Sequence, residues 1–148
     1  MKHLSERAWA GLLLVALAGC GGSAGRVAVT GTVTLDGRPL PGAVVTFYPE
    51  GETGGLGGSG RTGPDGRYAL TAARGGRGVL PGAYRVVVSR LLRPDGSAPD
   101  PGTPPAESDA RETLPAAYLD RASTRLRASV SEGARAHDFA LRSDAKGK

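Results

Sequence analysis

Short runs of β-branched and alternating residues, separated by glycine and proline turns, constrain the fold of this chain more than any other feature. Residues 27–34 are mostly valine and threonine and end at Asp36-Gly37, and residues 43–48 resume the same character. In residues 83–90 (AYRVVVSR) apolar and polar side chains alternate, which is typical of a strand. The 24 glycines and 11 prolines among 148 residues cluster between these runs. The pattern predicts an all-β chain, an antiparallel β-sandwich of about seven short strands.

The second half of the chain continues this pattern less regularly. Residues 51–60 (GETGGLGGSG) predict a mobile loop, and residues 93–105, which are rich in proline, predict a long exposed loop. Residues 114–118 (LPAAY) predict a packed return of the chain to the core. Residues 124–130 and 139–141 predict the last two strands. Residues 143–148 are expected to form a polar tail.

The first 19 residues have the layout of a secretory signal. Lys2 and Arg7 precede an apolar stretch, residues 8–19 (AWAGLLLVALAG), that ends in small residues. A stretch of this length is too short for a transmembrane helix, which needs about 20 apolar residues. The pattern therefore predicts a secretory signal peptide rather than a permanent membrane span.

Residues 17–20 (LAGC) close that stretch, and Cys20 is the only cysteine of the chain. The run resembles the lipobox of bacterial lipoproteins. The resemblance implies that Cys20 becomes the mature N-terminus and carries a diacylglyceryl group and an acylated amine, and that residues 20–25 form a lipidated, flexible tether. Gly21 at the second mature position resembles the signal for the outer membrane of the cell envelope, so that the domain faces the periplasm or the surface. The alternative is an ordinary signal peptide with an incidental cysteine.

Three segments of the body match a family pattern: VTGTVTLDGRPLPGAVVTFYP, TGPDGRYALT and LPGAYRVVVS, which lie between residues 29 and 89. They resemble the carboxypeptidase regulatory-like domain of small bacterial lipoproteins. The resemblance implies a transthyretin-like, immunoglobulin-like β-sandwich over residues 26–142 and no catalytic activity. From the residues alone, Tyr68 and Tyr84 are expected in the core with hydrogen-bonded hydroxyls rather than as exposed stacking aromatics.

The positively charged residues of the chain suggest a candidate interaction surface. The formal net charge is +5, and 16 of the 19 cationic residues are arginine. Arg125 and Arg127 alternate with apolar residues, and with Arg85 on a neighbouring strand they are a candidate surface for lipid phosphate, an acidic glycan or an acidic envelope protein. The alternative is an ordinary solvated sheet face. No nucleic-acid motif is present, so we expect no nucleic-acid partner.

Residues that usually carry catalysis are scarce. His137 is the one histidine beyond the signal region, and it is expected to be an exposed residue at the start of a strand. Zinc needs three or four nitrogen or sulfur ligands, so neither a zinc site nor another cofactor is expected. The acidic residues near the proline-rich loop have no EF-hand spacing, although a calcium site stays an alternative; they are Asp95, Asp100, Glu107, Asp109 and Glu112.

The sequence thus favours a non-catalytic, lipid-anchored structural or protein-interaction module of the envelope. A glycan- or peptide-binding module is the alternative, with residues 51–60 and the proline-rich loop as its rim. An enzyme would need a deep cleft with two close carboxylates.

Overall fold

The computed structural model describes residues 25–100, 102–104 and 107–146. The protein is all-β, as predicted, and seven of the described strands are three residues or longer. The strands are β1 Thr30–Leu35, β2 Arg38–Pro39, β3 Val44–Pro49, β4 Gly58–Arg61, β5 Arg67–Ala69, β6 Thr71–Ala72, β7 Gly82–Ser89, β8 Leu91–Leu92, β9 Arg111–Glu112, β10 Arg127–Val130 and β11 Phe139–Leu141. One short 3-10 helix, Ala116–Tyr118, lies at the predicted packed return.

The strands form two main sheets and a ribbon. In the first sheet β1 pairs with β2, β5 and β11. The second sheet has five strands in the order β10-β7-β3-β4-β6, and β8 pairs with β9 alone. All pairings between these strands are antiparallel except that of β1 with β11, which is parallel. This parallel pair is a departure from the predicted antiparallel pattern.

The two main sheets pack face to face over an apolar core. Phe47 on β3 is fully buried, and its ring centroid lies 6.4 Å from that of Tyr68 and 6.1 Å from that of Phe139, both in the opposite sheet. The hydroxyl groups of Tyr68 and Tyr84 donate hydrogen bonds to the carbonyl oxygens of His137 and Leu80. Both tyrosines are buried, which confirms their prediction as core residues.

The glycine-rich segment is only partly a loop. Residues 58–61 form β4, an interior strand of the second sheet, which the sequence assigned in part to a mobile loop. A Cβ atom at Gly60 would lie 2.4 Å from the carbonyl oxygen of Ala69, and one at Gly58 would lie 2.5 Å from that of Thr71. These glycines therefore allow a close approach of two backbones rather than flexibility.

A buried threonine fixes the point where the chain changes sheets. Residues 40–43 connect β2 of the first sheet to β3 of the second. The Thr62 hydroxyl accepts a hydrogen bond from the backbone N–H of Ala43 at 2.8 Å and donates one to the carbonyl oxygen of Leu40 at 2.6 Å. Thr62 is only 3% exposed, so these bonds satisfy backbone groups that water does not reach freely.

The proline-rich segment leaves the body as an excursion closed by the β8–β9 ribbon. Its described residues are mostly exposed, in agreement with the predicted surface loop. No helix within the described ranges has the length and hydropathy needed to cross a membrane.

Candidate functional site

Arg85 and Arg127 lie opposite each other on neighbouring strands. The register of β7 and β10 pairs the two residues directly, so their side chains leave the same face of the second sheet. Alternation along β7 places Tyr84 and Val86 in the core and directs Arg85 outward, half-buried. The structure thus places two of the three arginines of the predicted surface on one face of the sheet.

Glu50, at the end of β3, lies between the two arginines. Its Oε1 atom accepts a hydrogen bond from Nε of Arg85, and its Oε2 atom lies 3.0 Å from Nε of Arg127. The Glu50 side chain is 26% exposed. Two like charges directly opposite each other would repel, and the shared carboxylate offsets that repulsion.

Arg121 completes the cluster from the segment between the 3-10 helix and β10. Its guanidinium carbon lies 5.4 Å from the centre of the Tyr48 ring, and its Nη2 atom donates to the carbonyl oxygen of Pro49 at 3.2 Å. In return, Arg85 donates to the carbonyl oxygens of Arg121 and Ala122 at 3.1 and 3.3 Å. We call Glu50, Arg85, Arg121 and Arg127 the arginine cluster.

The electrostatics of the arginine cluster keep its carboxylate ionised. The hydrogen bond from Arg85 lowers the pKa of Glu50, and the positive charges of Arg127, Arg85 and Arg121 act in the same direction against partial desolvation. A carboxylate with a lowered pKa is suited to an ion pair and poorly suited to general acid catalysis. Three guanidinium groups around one carboxylate leave the cluster positive, so it can accept an acidic group at its rim.

Much of the hydrogen-bonding capacity of the cluster is already used by the protein. Arg127 donates to the carbonyl oxygens of Thr124 and Leu126, at 2.8 and 3.1 Å. Together with the bonds of Arg85, these contacts hold residues 121–126 against the second sheet. The main role of the cluster in the fold is therefore to hold this segment in place.

Arg125, the third predicted arginine, lies apart from Glu50. It is exposed and lines a hollow of about 310 Å³ together with Tyr118, Leu126 and Lys146. The structure thus brings together Arg85 and Arg127 and adds Glu50 and Arg121, which the sequence reasoning missed. A glutamate directly after a strand, in the run FYPEG, was the available signal for Glu50, but its partners depend on long-range register.

His137 is half-buried rather than exposed, contrary to the prediction. Its ring lies 6.0 Å from that of Phe47, with an edge-on orientation, and its Nε2 atom is 3.2 Å from the carbonyl oxygen of Ala134. The residue lies two positions before β11, where it packs over the rim of the core. Its ring is thus a packing element of the fold.

Several of the acidic residues near the proline-rich loop are engaged by nearby groups. Asp100 and Asp109 both lie against Arg93, and Oε1 of Glu112 accepts hydrogen bonds from the backbone N–H groups of Arg90, Thr113 and Leu114. Among the described residues, no three histidine, cysteine, aspartate or glutamate side chains are grouped so that they could hold a metal ion. The calcium alternative therefore has no support from this arrangement.

A shallow hollow of about 670 Å³ lies along β1 and β5. Its polar lining residues include Arg61, Arg67 and Asp138. Arg61 donates to the carbonyl oxygen of Gly42, and Asp138 accepts the backbone N–H of Thr32 at 2.7 Å. Arg61 and Asp138 are thus both engaged in hydrogen bonds with the backbone.

The two loops proposed as a common binding rim lie at opposite ends of β7. The Thr53 hydroxyl accepts the backbone N–H of Ala83 at the start of the strand, whereas the proline-rich loop follows the ribbon beyond Ser89. Eight residues of strand separate these points by about 23 Å. The two loops therefore do not form one rim.

Cys20, the predicted lipidation site, lies outside the described residues. No family model matches the chain, and neither the curated proteins nor the solved structures contain a match to it.

Proposed function

We propose that the protein is a lipid-anchored module of the bacterial cell envelope, held by acyl chains on Cys20, and that its β-sandwich has a structural or protein-interaction role without catalysis. The run LAGC at residues 17–20 carries this proposal, because it combines a lipobox-like pattern with the only thiol of the chain. Each buried CH2 group of an acyl chain contributes about 0.8 kcal/mol, so two or three chains hold a protein of this size on a bilayer.

The arginine cluster supports the non-catalytic part of the proposal. Glu50 is held by two arginines, and Glu112, the other half-buried carboxylate of the described residues, caps backbone N–H groups. Catalysis by a pair of carboxylates needs one of them protonated and both facing a substrate. These two are instead committed to structural bonds.

Fractionation of cells that express the full chain tests the anchor. We expect the wild-type chain and the control Ser23→Ala to stay in the membrane pellet after a high-salt wash. Cys20→Ala is expected in the soluble fraction. A second variant, Cys20→Ala with Ser23→Cys, restores a thiol three residues later and is also expected to be soluble. Retention of either Cys20→Ala variant in the pellet would show that the anchor does not depend on a lipobox.

The protein-interaction role is tested by crosslinking the acylated chain in its own cells and identifying partners by mass spectrometry. Arg125→Glu reverses an exposed charge of the predicted basic surface, and Arg38→Glu reverses an exposed charge in the first sheet as a matched control. We expect a partner that is lost with Arg125→Glu and kept with Arg38→Glu. An eluate that contains only lipid or glycan would instead support a small binding module.

A further inference from the structure

Three segments meet at one pole of the sandwich, which we call the N-terminal pole: residues 25–27, 54–57 and 73–80. Val27 and Val79 exchange backbone hydrogen bonds of 2.8 and 3.0 Å. The Leu80 side chain lies 3.9 Å from a Cβ atom built at Gly25 and 3.3 Å from one built at Gly55. The point where the chain enters the domain is therefore beside the tip of the glycine-rich loop.

The N-terminal pole combines an exposed apolar side chain with cationic groups. Leu56 is 60% exposed, the highest value among the large apolar residues of the described chain. It lines a hollow of about 220 Å³ with Leu80, Arg26 and Arg74, and none of the described residues that line this hollow carries a carboxylate. The Arg26 guanidinium is held at the pole by a 2.8 Å hydrogen bond to the carbonyl oxygen of Gly75.

This combination has the chemistry of an interfacial lipid contact. Apolar side chains gain free energy at the boundary between headgroups and acyl chains, and arginines gain free energy near anionic headgroups. An exposed leucine at the tip of a loop can enter that boundary without moving the rest of the domain when the residues beside it are small. Residues 54–57 read Gly-Gly-Leu-Gly, which is such a tip.

The length of the tether selects this pole over the rest of the surface. Five residue steps separate Cys20 from Gly25, a distance of at most about 18 Å even when fully extended. A compact domain of this size is about 35 Å across. An acylated Cys20 therefore keeps the N-terminal pole near the bilayer, while the β8–β9 ribbon lies beyond the far end of β7.

We propose that the N-terminal pole docks on the phospholipid surface, with Leu56 at the headgroup boundary and Arg26 and Arg74 at anionic headgroups. The inference rests on the proposed acylation of Cys20 and deepens it, because it gives the domain a fixed orientation on the membrane. Docking leaves the ribbon and the proline-rich loop on the side that faces away from the bilayer.

The test uses the full acylated chain in vesicles of phosphatidylethanolamine and phosphatidylglycerol. An environment-sensitive fluorophore is attached to Leu56→Cys and, as a matched control, to Leu91→Cys; acylation blocks the thiol of Cys20. Leu91 is 41% exposed and lies on the ribbon. Quenching by acrylamide, a neutral quencher, measures the accessibility of the fluorophore. Vesicle flotation measures whether the chain stays bound to the vesicles.

We expect a label at position 56 to be quenched about threefold less than one at position 91, because the headgroup region excludes the quencher. Arg74→Glu, or vesicles of neutral phosphatidylcholine, should weaken the protection of position 56. The docking equilibrium constant should fall about fivefold for each unit of charge changed. Equal quenching at both positions of a chain that floats with the vesicles would overturn the docking and leave the anchor intact. A chain that does not float and has a free Cys20 thiol would overturn both.

Discussion

Replacement of Thr62 by valine tests the most specific packing feature of the fold. Valine has nearly the same shape as threonine, so the change removes two buried hydrogen bonds and leaves the volume almost unchanged. The backbone N–H of Ala43 and the carbonyl oxygen of Leu40 then lose the hydroxyl partner that they have at 2.8 and 2.6 Å. An unsatisfied buried polar group costs about 1–3 kcal/mol, so we expect Thr62→Val to lower the free energy of unfolding by about 3 kcal/mol.

The matched control is Thr62→Ser, which keeps the hydroxyl and removes one methyl group. Its expected loss is about 1 kcal/mol, the value for one buried methyl group. Urea titration of residues 25–148, followed by far-ultraviolet circular dichroism, measures both variants. For a domain of this size, Thr62→Val should lower the urea midpoint by about 2 M. A valine variant within about 0.5 kcal/mol of the wild type, or a serine variant as unstable as the valine variant, would show that the hydrogen bonds of the Thr62 hydroxyl do not stabilise the fold.

Three further predictions concern the backbone contacts, the tyrosines and the arginine cluster. Gly60→Ala should lower the free energy of unfolding by about 2–3 kcal/mol, because its Cβ atom would lie 2.4 Å from a carbonyl oxygen. Gly133→Ala, which has open space around the Cβ position, should change it by less than about 0.5 kcal/mol in the same urea titration. Burial raises the pKa of Tyr68 above its usual value of 10.0, so the folded state keeps a proton that the unfolded state releases, and stability falls as the pH rises above that value. At pH 8, Tyr68→Phe should be less stable than the wild type by about 1 kcal/mol, because it loses a hydrogen bond. Between about pH 8 and pH 11, the free energy of unfolding should fall less for Tyr68→Phe than for the wild type, as measured by urea titration at both pH values. Glu50→Gln should lower the free energy of unfolding at low salt. It should also make the domain bind inorganic phosphate more tightly, which calorimetry can measure. An unchanged phosphate affinity would contradict the role of Glu50 as an internal counterion.

The strands that could be predicted from the sequence are those with local signals. The alternation in β7, the valine and threonine run of β1, and the Asp36-Gly37 turn all specify their own conformation, and the structure confirms them. The apolar and basic alternation before Val130 likewise predicted β10. These patterns are properties of neighbouring residues, so a single sequence contains them.

The features that sequence reasoning missed depend on distant parts of the chain. Gly58 and Gly60 have the composition of a flexible loop, and only the backbone of β5 and β6 shows why glycine is needed there. The role of Glu50 depends on the register of β3, β7 and β10, which joins residues far apart in sequence. The parallel pairing of β1 with β11 is likewise a consequence of topology rather than of local preference.

Mass spectrometry of the mature N-terminus tests directly whether the chain is anchored through Cys20. The chain is purified from its own membranes in detergent, and its N-terminal peptide is sequenced. We expect a peptide that begins at Cys20 and carries a diacylglyceryl group on sulfur. A peptide in which the bond between Gly19 and Cys20 is intact and the thiol unmodified, or a chain that begins beyond Cys20, would show that the anchor is not an acylated Cys20.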